Sequence, residues 1–164
     1  MTTQIIAIIP EEAPTIAKFA EPIWYQHYSP IIGDAQVKYM LEKFQSKKAI
    51  LNQLDEGYQY FKVTHKSELV GYSSIQFRKN HSLFISKFYL SESARGKGIG
   101  KKMLNYIEEL AKSKGSLTID LTVNKDNPAY DIYLKLGFVN QGAAEFDIGE
   151  GYIMDDYLMC KKIS

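Results

Sequence analysis

Apolar and polar residues alternate along this chain in short blocks, separated by longer stretches with helical spacing. "QIIAII" at 4–9 reads as a first strand, ended by Pro10. From Glu11 to about Phe44 the pattern is helical, with a break predicted at 29–34, where Pro30 and Gly33 stand. Asp34 is expected to cap the second of these helices, and Val37, Met40, Leu41 and Phe44 form its apolar stripe. A short helix is expected over 46–55, before Gly57. Strand patterns follow at 58–65, 68–77 and 82–90, and their short polar connectors predict neighbouring antiparallel pairing.

Ile99, Met103, Leu104, Ile107, Leu110 and Ala111 recur at helical spacing, and Gly115 ends that run. "LTIDLTV" at 117–123 alternates as a strand. The next helix is predicted from Pro128 to Leu136, with proline early, where its missing N–H costs nothing. Two last strands, 138–146 and 151–160, flank a "DIGEGY" turn. A strand–helix–strand crossover in the middle implies a parallel pair inside a mixed sheet. The class is α/β (α+β by some schemes): a mostly antiparallel sheet of about six or seven strands, flanked by about four helices.

Composition narrows the function. A chain of 164 residues with no repeat or low-complexity linker is expected to form one domain, 1–164. Twenty basic against nineteen acidic side chains leave a net charge of +1, which argues against a non-specific nucleic-acid binder. The single cysteine, Cys160, excludes an intrachain disulfide and suits a reducing compartment. No basic signal-like region and no apolar run near the roughly 20 residues of a membrane span stand in the sequence. A soluble, cytoplasmic protein without a membrane partner is expected.

The chemistry concentrates in "SESARGKGIGKKM", at 91–103. A P-loop would need glycine where Arg95 stands and Ser or Thr where Lys102 stands; the dinucleotide fingerprint would need glycine at Lys101. Both spacings fail. What remains is a strand, a polar loop and a helix that starts among Gly96, Gly98 and Gly100. Free N–H groups at such a start, the positive end of its dipole and missing Cβ atoms suit a phosphate. A flexible turn with solvated lysines is the other reading.

Arg95-Gly96-Lys97-Gly98-Ile99-Gly100 resembles the R/Q-x-x-G-x-G/A motif of the GCN5-related N-acetyltransferase superfamily. A second motif of that family, N-x-x-A-x-x-x-Y-x-K-x-G-F, resembles "NPAYDIYLKLGF", with Tyr133, Lys135, Gly137 and Phe138 in place. Its asparagine falls one residue out of step: strict counting puts Asp126 there, a one-residue adjustment puts Asn127 there, and Asn124 is a further option. The resemblance covers nearly the whole chain and implies a central parallel pair of strands that splays apart. It implies acetyl-CoA as cosubstrate, no metal, and direct attack by an amine in a ternary complex. It assigns the pyrophosphate to the amides of Arg95, Gly96, Lys97, Gly98, Ile99, Gly100 and Lys101, and the pantetheine arm to Phe88, Tyr89 and Leu90. Asn127 and Lys135 join the cofactor set, and Tyr133 is placed to protonate the leaving thiolate. A homodimer is one assembly it allows.

The acceptor is less defined. "SLFISKFYL" at 82–90 carries no carboxylate, although many relatives place their base on the fourth strand; its one charge is Lys87. His27, His81, Glu92 and Asp156 are candidate bases, with none singled out. Trp24, His27 and Asp156 are candidate acceptor contacts, the aromatics of "EPIWYQHY" reading equally as core. Acidic residues at 145–156 would attract cationic amines. A weaker resemblance, to bacterial spermidine and spermine acetyltransferases, implies a small polyamine as acceptor. A protein N-terminus or lysine is the alternative, and a non-catalytic acyl-CoA sensor a further one.

Overall fold

In the computed structural model, which describes residues 2–163, strand β1 (Thr3–Ala7) ends in a 3-10 turn over Pro10–Glu12. The Glu12 carboxylate accepts the Ile9 N–H there at 3.0 Å. Helix α1 (Ala13–Ile32) follows, burying Ile16, Ala20, Ile23 and Trp24 along one stripe. The break predicted at 29–34 narrows to one residue. Pro22 and Pro30 lie inside α1, and the turn is made by Gly33, at φ 84 and ψ 158. Asp34 is not a cap: it is the first residue of α2 (Asp34–Phe44), and its side chain makes no capping bond. Ser46 does cap α3 (Lys47–Asp55), its hydroxyl accepting the Ala49 N–H at 3.2 Å.

Strands β2 (Gln59–His65), β3 (Glu68–Arg78) and β4 (Ser82–Leu90) form an antiparallel meander. Lys66–Ser67 and Asn80–His81, all at positive φ, make its two turns. Helix α4 (Ile99–Ser113), β5 (Thr118–Asn124), α5 (Ala129–Lys135), β6 (Val139–Gly149) and β7 (Tyr152–Lys162) complete the order. The seven strands form one sheet, β1-β2-β3-β4-β5-β7-β6, whose β4–β5 pair is parallel.

The sheet buries both faces. On one, Ile75, Leu83 and Ile85 pack with Leu104, Ile107 and Ala111 of α4. On the other, Tyr60 and Tyr72 pack with Trp24, Val37, Met40 and Ile50 of α1, α2 and α3. Each fully buried side chain of this kind contributes about 1.5–3 kcal/mol.

Two details of β4 place the site. Its pairing with β5 covers only Ser82↔Thr118, Leu83↔Ile119 and Phe84↔Asp120, after which the strands part. Against β3 the register runs Ser74↔Lys87 and then Ile75↔Ile85, leaving Ser86 as an extra residue. Such a bulge bends the strand and reverses which face its later side chains point to. Leu83 and Ile85 therefore face α4, whereas Lys87 and Tyr89 face the helices of the other layer. At the strand's end Gly71 lies opposite Leu90, where an added Cβ would stand 2.7 Å from the Tyr89 carbonyl oxygen. Only glycine permits that approach.

Candidate active site

Where β4 and β5 part, the sheet opens into a cavity of about 1250 Å³. A single small-molecule pocket is roughly 300–1,000 Å³, so this one has room for two reactants together.

One end is built by the start of α4. Gly96 and Gly98 both sit at φ 77, a left-handed conformation that costs other residues about 1–2 kcal/mol. A Cβ on either would meet nothing within 4 Å, so open space lies above the loop. The first rung of the helical ladder is Lys102 N–H to the Gly98 carbonyl, at 3.2 Å. The amides of Ile99, Gly100 and Lys101 precede it and have no ladder acceptor. Together with the dipole of a 15-residue helix they make an anion cradle. The Ile99 side chain does not reach the cavity. It packs with Val63, Val70, Ala94 and Met103 and anchors the helix start from below. Arg95 lines the cavity and donates from Nη2 to the Leu90 carbonyl at 3.3 Å, tying the loop to the strand end. Lys97 is exposed and lies outside the lining.

In the middle, Phe88, Tyr89 and Leu90 line the edge of β4 exposed by the parting. Tyr133 of α5 stands edge-on to Phe88 (ring centroids 6.3 Å apart) and to Phe138 (5.6 Å). Burial, with the Tyr28 hydroxyl nearby, raises its phenol above the ordinary tyrosine range, so the proton stays on at neutral pH. Among the described residues its hydroxyl has no hydrogen-bond partner, which leaves it free to donate to a reactant.

The other wall comes from α1 and β7. Trp24 and Tyr28 pack against Tyr89 at 5.7 and 6.3 Å, and the Tyr28 and Tyr89 hydroxyls are 3.3 Å apart. Asn127 is 6% exposed, and its Oδ1 accepts the Ala129 N–H at 2.9 Å. That oxygen also lies 2.9 Å from His27 Nε2, so the imidazole carries its hydrogen on Nε2 and donates. Burial, offset in part by this bond, lowers the His27 pKa, and Arg95 lowers it further. Asp126 is exposed and outside the lining, whereas Asn127 and Asn124 both line the cavity.

Asp156, 3% exposed, lines the same wall from β7, beside Asn124 of β5. Burial pushes its carboxyl up to about 6, against a hydrogen bond from Thr122 that favours the ionised form; the neighbouring Asp155 raises it further. Of the other candidate bases, His81 sits in the β3–β4 turn and Glu92 accepts from Gln26 Nε2 on the surface. Neither lines the cavity. Lys135 is exposed at the end of α5 and outside it too.

Two further cavity residues bear on the chemistry. Tyr28 stood in the aromatic cluster, one of twelve tyrosines, with nothing in its spacing to mark it. Lys87, 4% exposed, is turned inward by the bulge, and burial pushes its amine down to about 7. A one-residue bulge leaves no trace in an alternation pattern.

A family model described as an acetyltransferase (GNAT) domain matches residues 28–149. The chain is 24% identical to the spermidine N(1)-acetyltransferase of Thermoplasma acidophilum over 161 residues, covering 94% of this chain and 97% of that one. It is 29% identical over 118 residues to the spermine/spermidine N(1)-acetyltransferase of Bacillus subtilis, covering 65% and 78%. Its fold matches the crystal structure of the PaiA N-acetyltransferase from Thermoplasma acidophilum in complex with coenzyme A. The TM-score is 0.82 at 24% identity, over 99% of this chain and 100% of that one.

Proposed function

Because the chain belongs to the GNAT acetyltransferase family, we propose that it transfers the acetyl group of acetyl-CoA to a primary amine of a polyamine such as spermidine or spermine. The cavity fits both reactants: the cradle of α4 suits a pyrophosphate, and the parted strands leave a slot for an extended thiol arm. Bound there, acetyl-CoA would supply the thioester.

The chain's own residues divide the rest of the work. Attack by the amine nitrogen on the thioester carbon, in a ternary complex, makes an N–C bond and breaks the C–S bond. An alkylamine of pKa about 10.4 is neutral in roughly one molecule in 2,500 at pH 7, so binding must favour loss of its proton. We assign that proton to Asp156. As the N–C bond forms the nitrogen becomes more acidic, and a carboxylate with a pKa of about 6 can accept its hydrogen. Tyr133, protonated at neutral pH, returns a proton to the departing sulfur. Main-chain N–H groups at the free edge of β4 near Leu90 are placed to hold the developing oxyanion.

The observation that carries the acceptor class is Asp156: a buried carboxylate on an aromatic wall, opposite Tyr133 in one cavity, suits an ammonium-bearing molecule. Glu145, across the β6–β7 hairpin from Asp155, adds negative charge on the same two strands, Asp155 itself being paired with Lys125 at 2.9 Å. The test is coenzyme A release from acetyl-CoA across a panel of amines. Turnover of spermidine or spermine is expected. Turnover of peptide N-termini alone would replace the polyamine reading, and coenzyme A binding without turnover on any amine would overturn Asp156 and Tyr133 together.

A further inference from the structure

Lys87 lies on the strand proposed to hold the thioester, buried at 4% exposure, yet among the described residues it pairs with no carboxylate. Its Nζ donates to three neutral acceptors: the Phe44 carbonyl, the Tyr60 hydroxyl and, at 3.0 Å, Gln53 Oε1. In its protonated form Nζ has three hydrogens, and all three are used. Phe44 is the last residue of α2, so its carbonyl is one of the four that the helix leaves without a partner, at the negative end of the dipole. The Gln53 side chain of α3 donates to that same carbonyl at 3.1 Å. Tyr60 in turn donates to Gln53 Oε1, closing the ring of bonds.

This arrangement joins parts of the cavity that local sequence does not connect. The α2–α3 junction lines the cavity through Met40, Phe44 and Gln45, in the helical layer that also carries Trp24 and Tyr28 of the α1 wall, which we take as the acceptor side, whereas β4 belongs to the proposed thioester side. Gln45 is itself fixed, accepting the Tyr72 hydroxyl at 2.8 Å. With every hydrogen of Nζ committed, Lys87 has none left for a substrate. Among the described residues no hydrogen bond joins the cradle at 96–101 to this ring.

We propose that Lys87 is a positioning residue whose ammonium fixes the acceptor wall, at the α2–α3 junction, to the thioester-holding strand, and so sets the binding of the amine and not that of acetyl-CoA. This rests on acetyl transfer in the cavity but not on which amine is the acceptor. It is therefore tested with any amine the intact enzyme turns over, and failure of the polyamine reading leaves it standing.

Steady-state kinetics and acetyl-CoA titrations would be compared for the intact protein, Lys87→Met, Gln53→Leu and the double variant. One charged hydrogen bond's worth of positioning predicts a rise of roughly tenfold in the amine KM for each single variant. Values of kcat and acetyl-CoA affinity should stay within about threefold. The double variant should match the worse single variant, because both cut the same connection. A fall in kcat with an unchanged amine KM would place Lys87 in the chemistry and overturn the proposal. Equal loss of acetyl-CoA affinity, or additive effects in the double variant, would overturn it as well. If Lys87→Met does not fold, Tyr60→Phe decides, since it removes one acceptor and leaves two. A raised amine KM alone supports the assignment, and an unchanged one defeats it.

Discussion

Replacing Asp156 by asparagine should stabilise this protein and disable it at once. The carboxyl is raised from 3.8 to about 6, so its ionised form is disfavoured in the fold. Between those pH values the folded chain holds a proton that the unfolded chain has released. Stability therefore falls as pH rises through that window, and the cost is complete above about pH 6. A shift of about two units converts to about 3 kcal/mol. The carboxylate borders an open cavity whose water screens it, which brings the expectation to about 1–2 kcal/mol. Asparagine keeps the shape and removes the charge. For a chain of this size, Asp156→Asn should raise Tm by about 2–8 °C at pH 7.5, and the gain should vanish near pH 4. Thermal melts at both pH values check it. In the same preparation kcat/KM should fall roughly 10²–10⁴-fold, the range for a lost general base, and the acidic limb near pH 6 should disappear. A gain over the parent no larger at pH 7.5 than at pH 4 would refute the burial argument. Parental kcat/KM would refute the assignment of the proton.

Tyr133→Phe keeps the edge-on packing against Phe88 and Phe138 and removes only the donor. It should lower kcat roughly 10²-fold with acetyl-CoA affinity within about threefold, measured by stopped assays and titration; an unchanged kcat would leave the sulfur without this acid. Gly98→Ala strains a residue at φ 77 and puts a methyl group into the open space of the cradle. The melt should register about 1–2 kcal/mol, while acetyl-CoA affinity should drop at least tenfold by calorimetry. Unaltered affinity would mean that the phosphates lie elsewhere.

Sequence legibility followed the range of the interactions concerned. The glycines at 96, 98 and 100 declare themselves because their backbone demands are local, and they all appear at the cavity's end. The meander and the amphipathic face of α4 were readable for the same reason. Pro30 misled because a proline signals a break, whereas the partly buried Tyr28 and Ile32, packed on the helical core, go with a helix that runs to Gly33. His27 and Asp156 could be named but not ranked. Their roles depend on burial and on partners a hundred residues away in one case, at Asn127, and across the sheet in the other, at Thr122. Lys87 was invisible as a site residue, and nothing in the spacing of Tyr28 set it apart within its aromatic cluster. Their facing is set by a bulge and a helix rotation, which only the packed structure fixes.

The extra residue at Ser86 divides β4 into two segments of opposite parity. Odd-numbered side chains before it belong to the core beneath α4, and odd-numbered side chains after it belong to the cavity. Substitutions at 83 or 85 should thus register as loss of fold, and that at 87 as weaker binding of the amine, although all three lie on one short strand. Deleting Ser86 would remove no important side chain. It would leave Lys87 directly after Ile85 and opposite Ser74, so plain alternation would keep Lys87 and Tyr89 on the cavity face; what would be lost is the bend that the extra residue puts into the strand just after it parts from β5. The extra residue therefore serves the site through the path of the strand, and not through which face its side chains take.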